Sequence, residues 1–201
     1  MDLWHYEREA LEQGHALVCG CDEAGAGPLA GPVYAAAVIL PAGLELPWLN
    51  DSKKVTPRRR ELLFDQIRDR ALAWALAWAE PEEIDTLDIL NCRMLAMNRA
   101  VEALEPGADY ALIDGNRDHG SRYSIILAHE TIVKGDGRSA SIAAASILAK
   151  VSRDRYMEEM DQIYPQYEFA RHKGYPTRRH YELLRRYGPC PIHRRSFLKK
   201  L

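Results

Sequence analysis

At 201 residues the chain suffices for one domain with at most a small appendage, and 47% hydrophobic residues provide for a substantial core. No apolar run approaches the roughly 18 residues of a transmembrane helix, and Met1 to Arg8 lacks the basic start and apolar run of a signal peptide, which places the protein in the cytoplasm. The net charge of −2 conceals an asymmetry: from Arg171 to Leu201 there are ten Lys or Arg and one acid, Glu182, so a segment of about +9 follows a body of about −11. Such a basic end suits a polyanion, nucleic acid first, although a solvated helix face is the commoner meaning of a basic run.

The elements read in order. Residues 4–14 form a short amphipathic helix. Ala16 to Cys21 is a first strand and Val33 to Leu40 a second, closed by Pro41. The glycine-containing turn between them makes an antiparallel pair. Thr56 and Pro57 start a helix to about Asp69. Ala71 to Ala79 alternates large and small residues, a strand period despite its alanines. Pro81 to Leu104 is helical in two pieces that break near Leu87-Asp88, and its Leu90, Met94, Met97 and Val101 recur at core spacing. Tyr110 to Ile113 is a fourth strand ending at Asp114, and Thr131 to Val133 a fifth ending near Asp136. A long helix runs from about Ser139 to Met160, with an Ala- and Ser-rich opening that permits close packing on a sheet. A loop, Tyr164 to Pro176, precedes a last helix, Thr177 to Tyr187. This order gives an α/β layered domain with a mixed sheet. We divide it into a catalytic part, 1–163, and a basic C-terminal helical segment, 164–201, in one compact unit.

The richest stretch is Cys21-Asp22-Glu23-Ala24-Gly25-Ala26-Gly27-Pro28-Leu29-Ala30-Gly31-Pro32. Paired carboxylates at a strand end, with flexible backbone behind them, suit a divalent metal and a phosphate. The same residues also read as an acidic turn. Asp114 and Asp136, each beside glycine, follow two further strands, and ligands of open α/β sheets bind at strand ends. Four converging carboxylates repel unless protonated or neutralised by cations. Oxygen-only donors favour magnesium or manganese over zinc, and two such ions serve in-line phosphoryl displacement. The other reading is that each aspartate caps a turn.

Other residues carry less. Cys19, Cys21, Cys92 and Cys190 form no Cys-x-x-Cys pair, hence neither a disulfide framework nor a structural zinc site. The histidines lack a ligand spacing; His172, His180 and His193 contact phosphate or stand exposed. Ser146 has a packing role, and Asp154 joins a helix-face ion pair.

Taken in order, the motifs resemble one family, bacterial ribonuclease HII, the type 2 ribonuclease H. The matching stretches are Asp22-Glu23-Ala24-Gly25-x-Gly27-Pro28-Leu29-Ala30-Gly31-Pro32-Val33, Asp51-Ser52-Lys53-Lys54, Asp114-Gly115-Asn116 and Lys134-Gly135-Asp136. They continue in Ser141 to Val151, Arg153-Asp154-Arg155, His172 to Thr177, Gly188-Pro189 and His193 to Phe197. The ordered set spans almost the whole chain.

The resemblance implies a ribonuclease H-like mixed sheet flanked by helices, with a small C-terminal helical extension that closes over the substrate. It implies magnesium- or manganese-dependent hydrolysis of RNA in RNA–DNA hybrids and on the 5′ side of single ribonucleotides in duplex DNA. Products would carry 3′-hydroxyl and 5′-phosphate ends, in ribonucleotide removal and DNA replication. Asp22, Glu23, Asp114 and Asp136 correspond to the metal-binding catalytic set. Gly25, Ala26 and Gly27 resemble the family's turn that senses the ribose 2′-hydroxyl, the local difference between RNA and DNA. By the same resemblance Tyr175 would pack on the following deoxyribose and Ser52 and Lys53 would contact backbone phosphate, and the expected oligomeric state is a monomer.

Two departures stand out. The family has Arg or Lys where this chain has Ala26, and the segment from Asp114 to Asp136 is a few residues longer. Ala26 motivates an alternative, a hybrid-binding protein with weakened catalysis or altered junction preference. A different nuclease on the same fold is a third reading.

Overall fold

The computed structural model describes residues 2–199. One mixed sheet of five strands has the order β3-β2-β1-β4-β5, with β1 Val18–Ala24, β2 Val33–Ile39, β3 Ala73–Ala79, β4 Tyr110–Asp114 and β5 His129–Ile132. The central β1 is antiparallel to β2 and parallel to β4. The helices are α1 His5–Glu12, α2 Pro57–Arg70, α3 Pro81–Leu87, α4 Ile89–Glu102, α5 Ala140–Ile163, α6 Phe169–His172 and α7 Arg178–Tyr187. The α/β mixed-sheet reading therefore holds, as does the break before α4. Asp88 there has φ 71° and its carboxylate accepts from the Asn91 N–H at 3.0 Å, ending one helix and capping the next.

Side chains alternate between the faces of a strand. Cys19, Cys21, Ala35, Ala37, Ala75 and Ile113 bury one face against Met94 and Met97 of α4. On the other face Ala36 and Val38 pack with Leu63, Phe64 and Ile67 of α2 and Ala144, Ile147 and Leu148 of α5. The alanines of β3 satisfy the strand period because they leave room for α4 to approach. At Gly20 the approach is closest: a Cβ there would lie 2.1 Å from backbone atoms of Ser141 and Ile142, so glycine seats the start of α5 on β1. Buried Glu7 of α1 accepts hydrogen bonds from Ser139 Oγ at 2.6 Å and the Ser141 N–H at 2.9 Å, which anchors that helix start.

Four expectations need correction. β1 runs on to Ala24, because its pairing with β2 continues through Ala24↔Tyr34. β5 lies earlier than expected, paired with β4 from His129 to Ile132, and Asp136 sits beyond it in a 3₁₀ turn, Gly135–Gly137. The segment before α7 is not all loop but contains α6. Around it Met157, Tyr167, Phe169, Leu183, Leu184 and Cys190 form a separate apolar cluster with Leu29 and Ala30, packing the C-terminal segment on the glycine stretch. His172, His180 and His193 are buried within it, with His172 stacked on His180, His180 edge-on to Phe169 and His193 tilted against both, and so are unavailable to phosphate. Among the described residues no helix is long and apolar enough to cross a membrane.

Candidate active site

The site forms where β1 and β4 end side by side. Their parallel register pairs Cys21 with Ile113, so Asp22 and Asp114 are the next residues on adjacent strands. Both belong to the α5 face, as Gly20 does. Glu23, one residue on, belongs to the α4 face. The adjacent carboxylates thus leave the sheet on opposite sides, a consequence of β1 remaining a strand through both. Asp136 arrives from the 3₁₀ turn, and its N–H donates to Asp114 Oδ1 at 3.2 Å. Lys134, in the left-handed region with φ 57°, turns the chain from β5 into that position.

The four carboxylates form an open set. Among the described residues no three His, Cys, Asp or Glu side chains close as a ready metal cage. Their proximity and burial disfavour the charged forms unless a proton or a cation relieves the repulsion. Burial first, then Glu23, Asp114 and Asp136, push Asp22 well above the usual carboxylate range. Burial raises Glu23 to about 7, against the opposing pull of Arg93 and with the support of Asp114. Burial, Asp114 and Asp51 raise Asp136 to about 6. Glu23 Oε2 is buried and has no hydrogen-bond partner. A hard divalent cation fits this donor set: the ligands are all oxygen, one is orphaned, and cationic charge would relieve the mutual repulsion.

Beside the carboxylates lies an open cleft of about 540 Å³. Asp51, Asp114 and Asp136 line it together with Lys53, Lys54, Lys134 and Arg138. Burial lowers Lys53, but Asp136, Asp22, Asp51 and Asp114 outweigh it and hold the ammonium above its ordinary value. Lys53 therefore reaches the site. Its neighbour Ser52 is 5% exposed, and its N–H lies 3.4 Å from Ser146 Oγ while its carbonyl accepts from Arg60 at 2.8 Å. Its backbone is thus committed to the fold. Ser146 packs as expected, and Asp154 pairs with Lys150 at 2.7 Å.

Gly25, Ala26 and Gly27 follow β1 directly. A Cβ on Gly27 would lie 3.9 Å from Tyr175 Cε1, so the glycine turn and the tyrosine are neighbours, and Tyr175 is 40% exposed. Sequence reasoning missed Asp51, Lys134, Arg138 and Arg93. Asp51 and Lys134 stood within stretches matched to the family but were assigned no role, and Arg138 was visible only as a loop charge. Arg93 lay in a helix read as core, yet its Nη2 is 2.7 Å from Glu23 Oε1.

Solved structures share this architecture. The crystal structure of the ribonuclease H2 from Pyrococcus horikoshii superposes with a TM-score of 0.74 at 28% identity, covering 90% of this chain and 93% of that one. The structure of the PCNA:RNase HII complex from Archaeoglobus fulgidus gives 0.76 at 26% identity, over 90% and 95%. The fold is thus that of the type 2 ribonucleases H, an RNase H-like α/β fold. The family model "Ribonuclease HII" matches residues 19–200, and the ribonuclease HII of Acetivibrio thermocellus is 50% identical over 99% of this chain and 76% of its own length. The chain belongs to the ribonuclease HII family. It is accordingly an endoribonuclease.

Proposed function

We propose that this ribonuclease is divalent-metal-dependent and cuts RNA in RNA–DNA hybrids and on the 5′ side of single ribonucleotides in duplex DNA. The products carry 3′-hydroxyl and 5′-phosphate ends. The observation that carries the reading is the meeting of Asp22, Asp114 and Asp136 at one end of two parallel strands, with Glu23 Oε2 orphaned beside them.

Asp22, Glu23, Asp114 and Asp136 would hold magnesium or manganese, which when bound supplies an acidified water and charge stabilisation for phosphoryl transfer. Lys53 neutralises phosphate charge at the cleft. The backbone of Gly25, Ala26 and Gly27 meets the ribose 2′-hydroxyl, and the Tyr175 ring lies on the next sugar, where an extra hydroxyl would clash. Lys54, Lys134 and Arg138 extend the cationic track along the cleft, and the segment from 164 onward adds sequence-independent affinity. The enzyme acts as a cytoplasmic monomer in ribonucleotide and primer removal. Ala26 leaves the turn to work through its backbone alone.

The test is cleavage of an end-labelled duplex containing one ribonucleotide, with magnesium and then manganese, beside an Ala26→Arg variant. A cut 5′ of the ribonucleotide by the natural chain is expected. Cleavage elsewhere, or activity only in the arginine variant, would overturn the junction reading.

A further inference from the structure

Two arginines lie wholly inside the protein and spend their donors on backbone. Arg153 of α5 is 1% exposed and Arg194 is 0% exposed. Arg153 donates from Nε to the Pro32 carbonyl at 3.1 Å, from Nη2 to Ala30 at 3.0 Å and from Nη1 to Lys173 at 3.0 Å. Arg194 donates from Nε to Gly31 at 2.9 Å, from Nη1 to Pro28 at 2.8 Å and Ala26 at 3.1 Å, and from Nη2 to Gly25 at 2.6 Å. Burying a guanidinium is costly unless each donor is satisfied. Burial and the neighbouring Arg153 lower Arg194 to about 9, which still leaves it charged at neutral pH. Ordinary core packing has no need of two such groups, and an apolar pair would serve it as well.

What the two cations accomplish is geometric. Arg194 draws the Gly25, Ala26 and Pro28 carbonyls inward. The N–H groups of Gly25, Ala26 and Gly27 make no hydrogen bond among the described residues, and they stay free for a ligand. Arg153 ties the same stretch to Lys173, two residues before Tyr175. The seam is tight. The Leu29 N–H donates to the Gly174 carbonyl at 2.8 Å, and a Cβ on Gly174 (φ 80°) would stand 2.6 Å from the Ala30 oxygen. Gly25 (φ 99°) leaves the space that the Arg153 side chain fills, since a Cβ there would lie 2.1 Å from its Nε.

We propose that Arg153 and Arg194 are positioning residues that lock the glycine turn to the Tyr175 turn, so that the two read one ribose–deoxyribose step as a rigid pair. The proposal rests on the junction reading above. Discrimination by two separate contacts requires their spacing to be held: Arg194 fixes the carbonyls of Gly25, Ala26, Pro28 and Gly31, and Arg153 ties Ala30 and Pro32 of the same stretch to Lys173 before the Tyr175 turn. On a continuous hybrid, where successive sugars are alike, the fixed spacing matters less.

The test compares Arg153→Lys and Arg194→Lys with the natural chain on a duplex containing one ribonucleotide and on a continuous RNA–DNA hybrid. Lysine keeps the charge but cannot bridge several carbonyls. A third variant, Gly174→Ala, spreads the seam at the Ala30 carbonyl while keeping both guanidiniums. Thermal unfolding and manganese binding, followed by electron paramagnetic resonance, are measured on each. The expected result is a fall in kcat/KM of tenfold or more on the single ribonucleotide and a several-fold smaller fall on the hybrid, with manganese binding retained. Gly174→Ala is expected to give the same selective loss even if an arginine variant fails to fold. Equal losses on both substrates, or none, in folded variants would overturn the brace while leaving the junction reading intact. A natural chain indifferent to the ribonucleotide would overturn that reading, and the brace with it.

Discussion

Arg93 of α4 reaches across to the sheet and places its Nη2 2.7 Å from Glu23 Oε1, while its own Nε is buried without a partner. The strand register sends Glu23 to the α4 face, where Arg93 holds one of its oxygens and the other is buried without a hydrogen-bond partner. A partner removed from a largely buried pair strands the remaining charge, at a cost of roughly 3–5 kcal/mol at full burial and less here. Arg93→Met should lower stability in chelator by about 1–3 kcal/mol. Adding Glu23→Gln should recover most of it. Urea unfolding of the single and double variants checks this, and a double variant no more stable than Arg93→Met would show the pair to be uncoupled.

The carboxylate set makes the metal-free protein self-repelling. Asp22→Asn should raise its melting temperature in chelator, yet lower cleavage by about 100-fold or more, since even outer-shell partners of a metal are worth 10–100-fold. For the natural chain, manganese at about 100 times its Kd should add roughly 2.7 kcal/mol. That amounts to several degrees for a domain of this size. Calorimetric scans with and without manganese report both effects. An equal manganese shift in Asp22→Asn would remove Asp22 from the metal site, and unchanged turnover in Asp136→Asn would do the same for Asp136.

Tyr175 borders the glycine turn with 40% of its surface exposed. Tyr175→Ala should reduce single-ribonucleotide cleavage by about tenfold, a loss of roughly 1.4 kcal/mol in the transition state, and continuous-hybrid cleavage by less. Initial rates on the two substrates decide the matter, and equal losses would sink the sugar-packing role.

The buried histidines predict an acid weakness. The Cys190 N–H donates to His193 Nδ1 at 3.0 Å, so His193 Nε2 carries the proton and donates to His180 Nε2 at 3.1 Å. His180 Nδ1 in turn donates to the Tyr175 carbonyl at 3.0 Å. Every ring is neutral in this chain. Burial lowers both His180 and His193 from 6.5 to about 4. Between those values the unfolded chain binds more protons than the native one. Their stabilisation is therefore complete above pH 6.5 and is lost as pH falls toward 4, at roughly 1.4 kcal/mol per pH unit for each ring. The raised carboxylates slope the opposite way, so the comparison must isolate the histidines. Urea unfolding from pH 7.5 to 5 should show a steeper loss in the natural chain than in a His180→Asn, His193→Asn double variant. Parallel pH dependences would contradict the neutral relay.

Much of this protein was legible from local pattern. Periods of 2 and 3.6 report which face of an element is apolar, and that is a local property; hence the strand alternation of 71–79, the capped break at Asp88 and the Ala-rich face of α5 were all readable. Asp114 beside Gly115 marked the end of β4, and the ordered motifs carried the family. Other features depended on which segments meet. Nothing local shows that β2 pairs with β1 as far as Ala24, and it is this pairing that sends Asp22 and Glu23 to opposite faces and gives Arg93 its partner. The basic C-terminal stretch read as surface because charge signals exposure only on average. Tertiary packing instead buried His172, His180, His193 and Arg194, since seven backbone carbonyls of the glycine stretch and the Tyr175 turn were available to satisfy Arg153 and Arg194. Sequence by itself determined the elements and the chemistry they carry; the tertiary structure alone decided which charges face the cleft and which brace it from within, because burial and partners are set by residues distant in the chain.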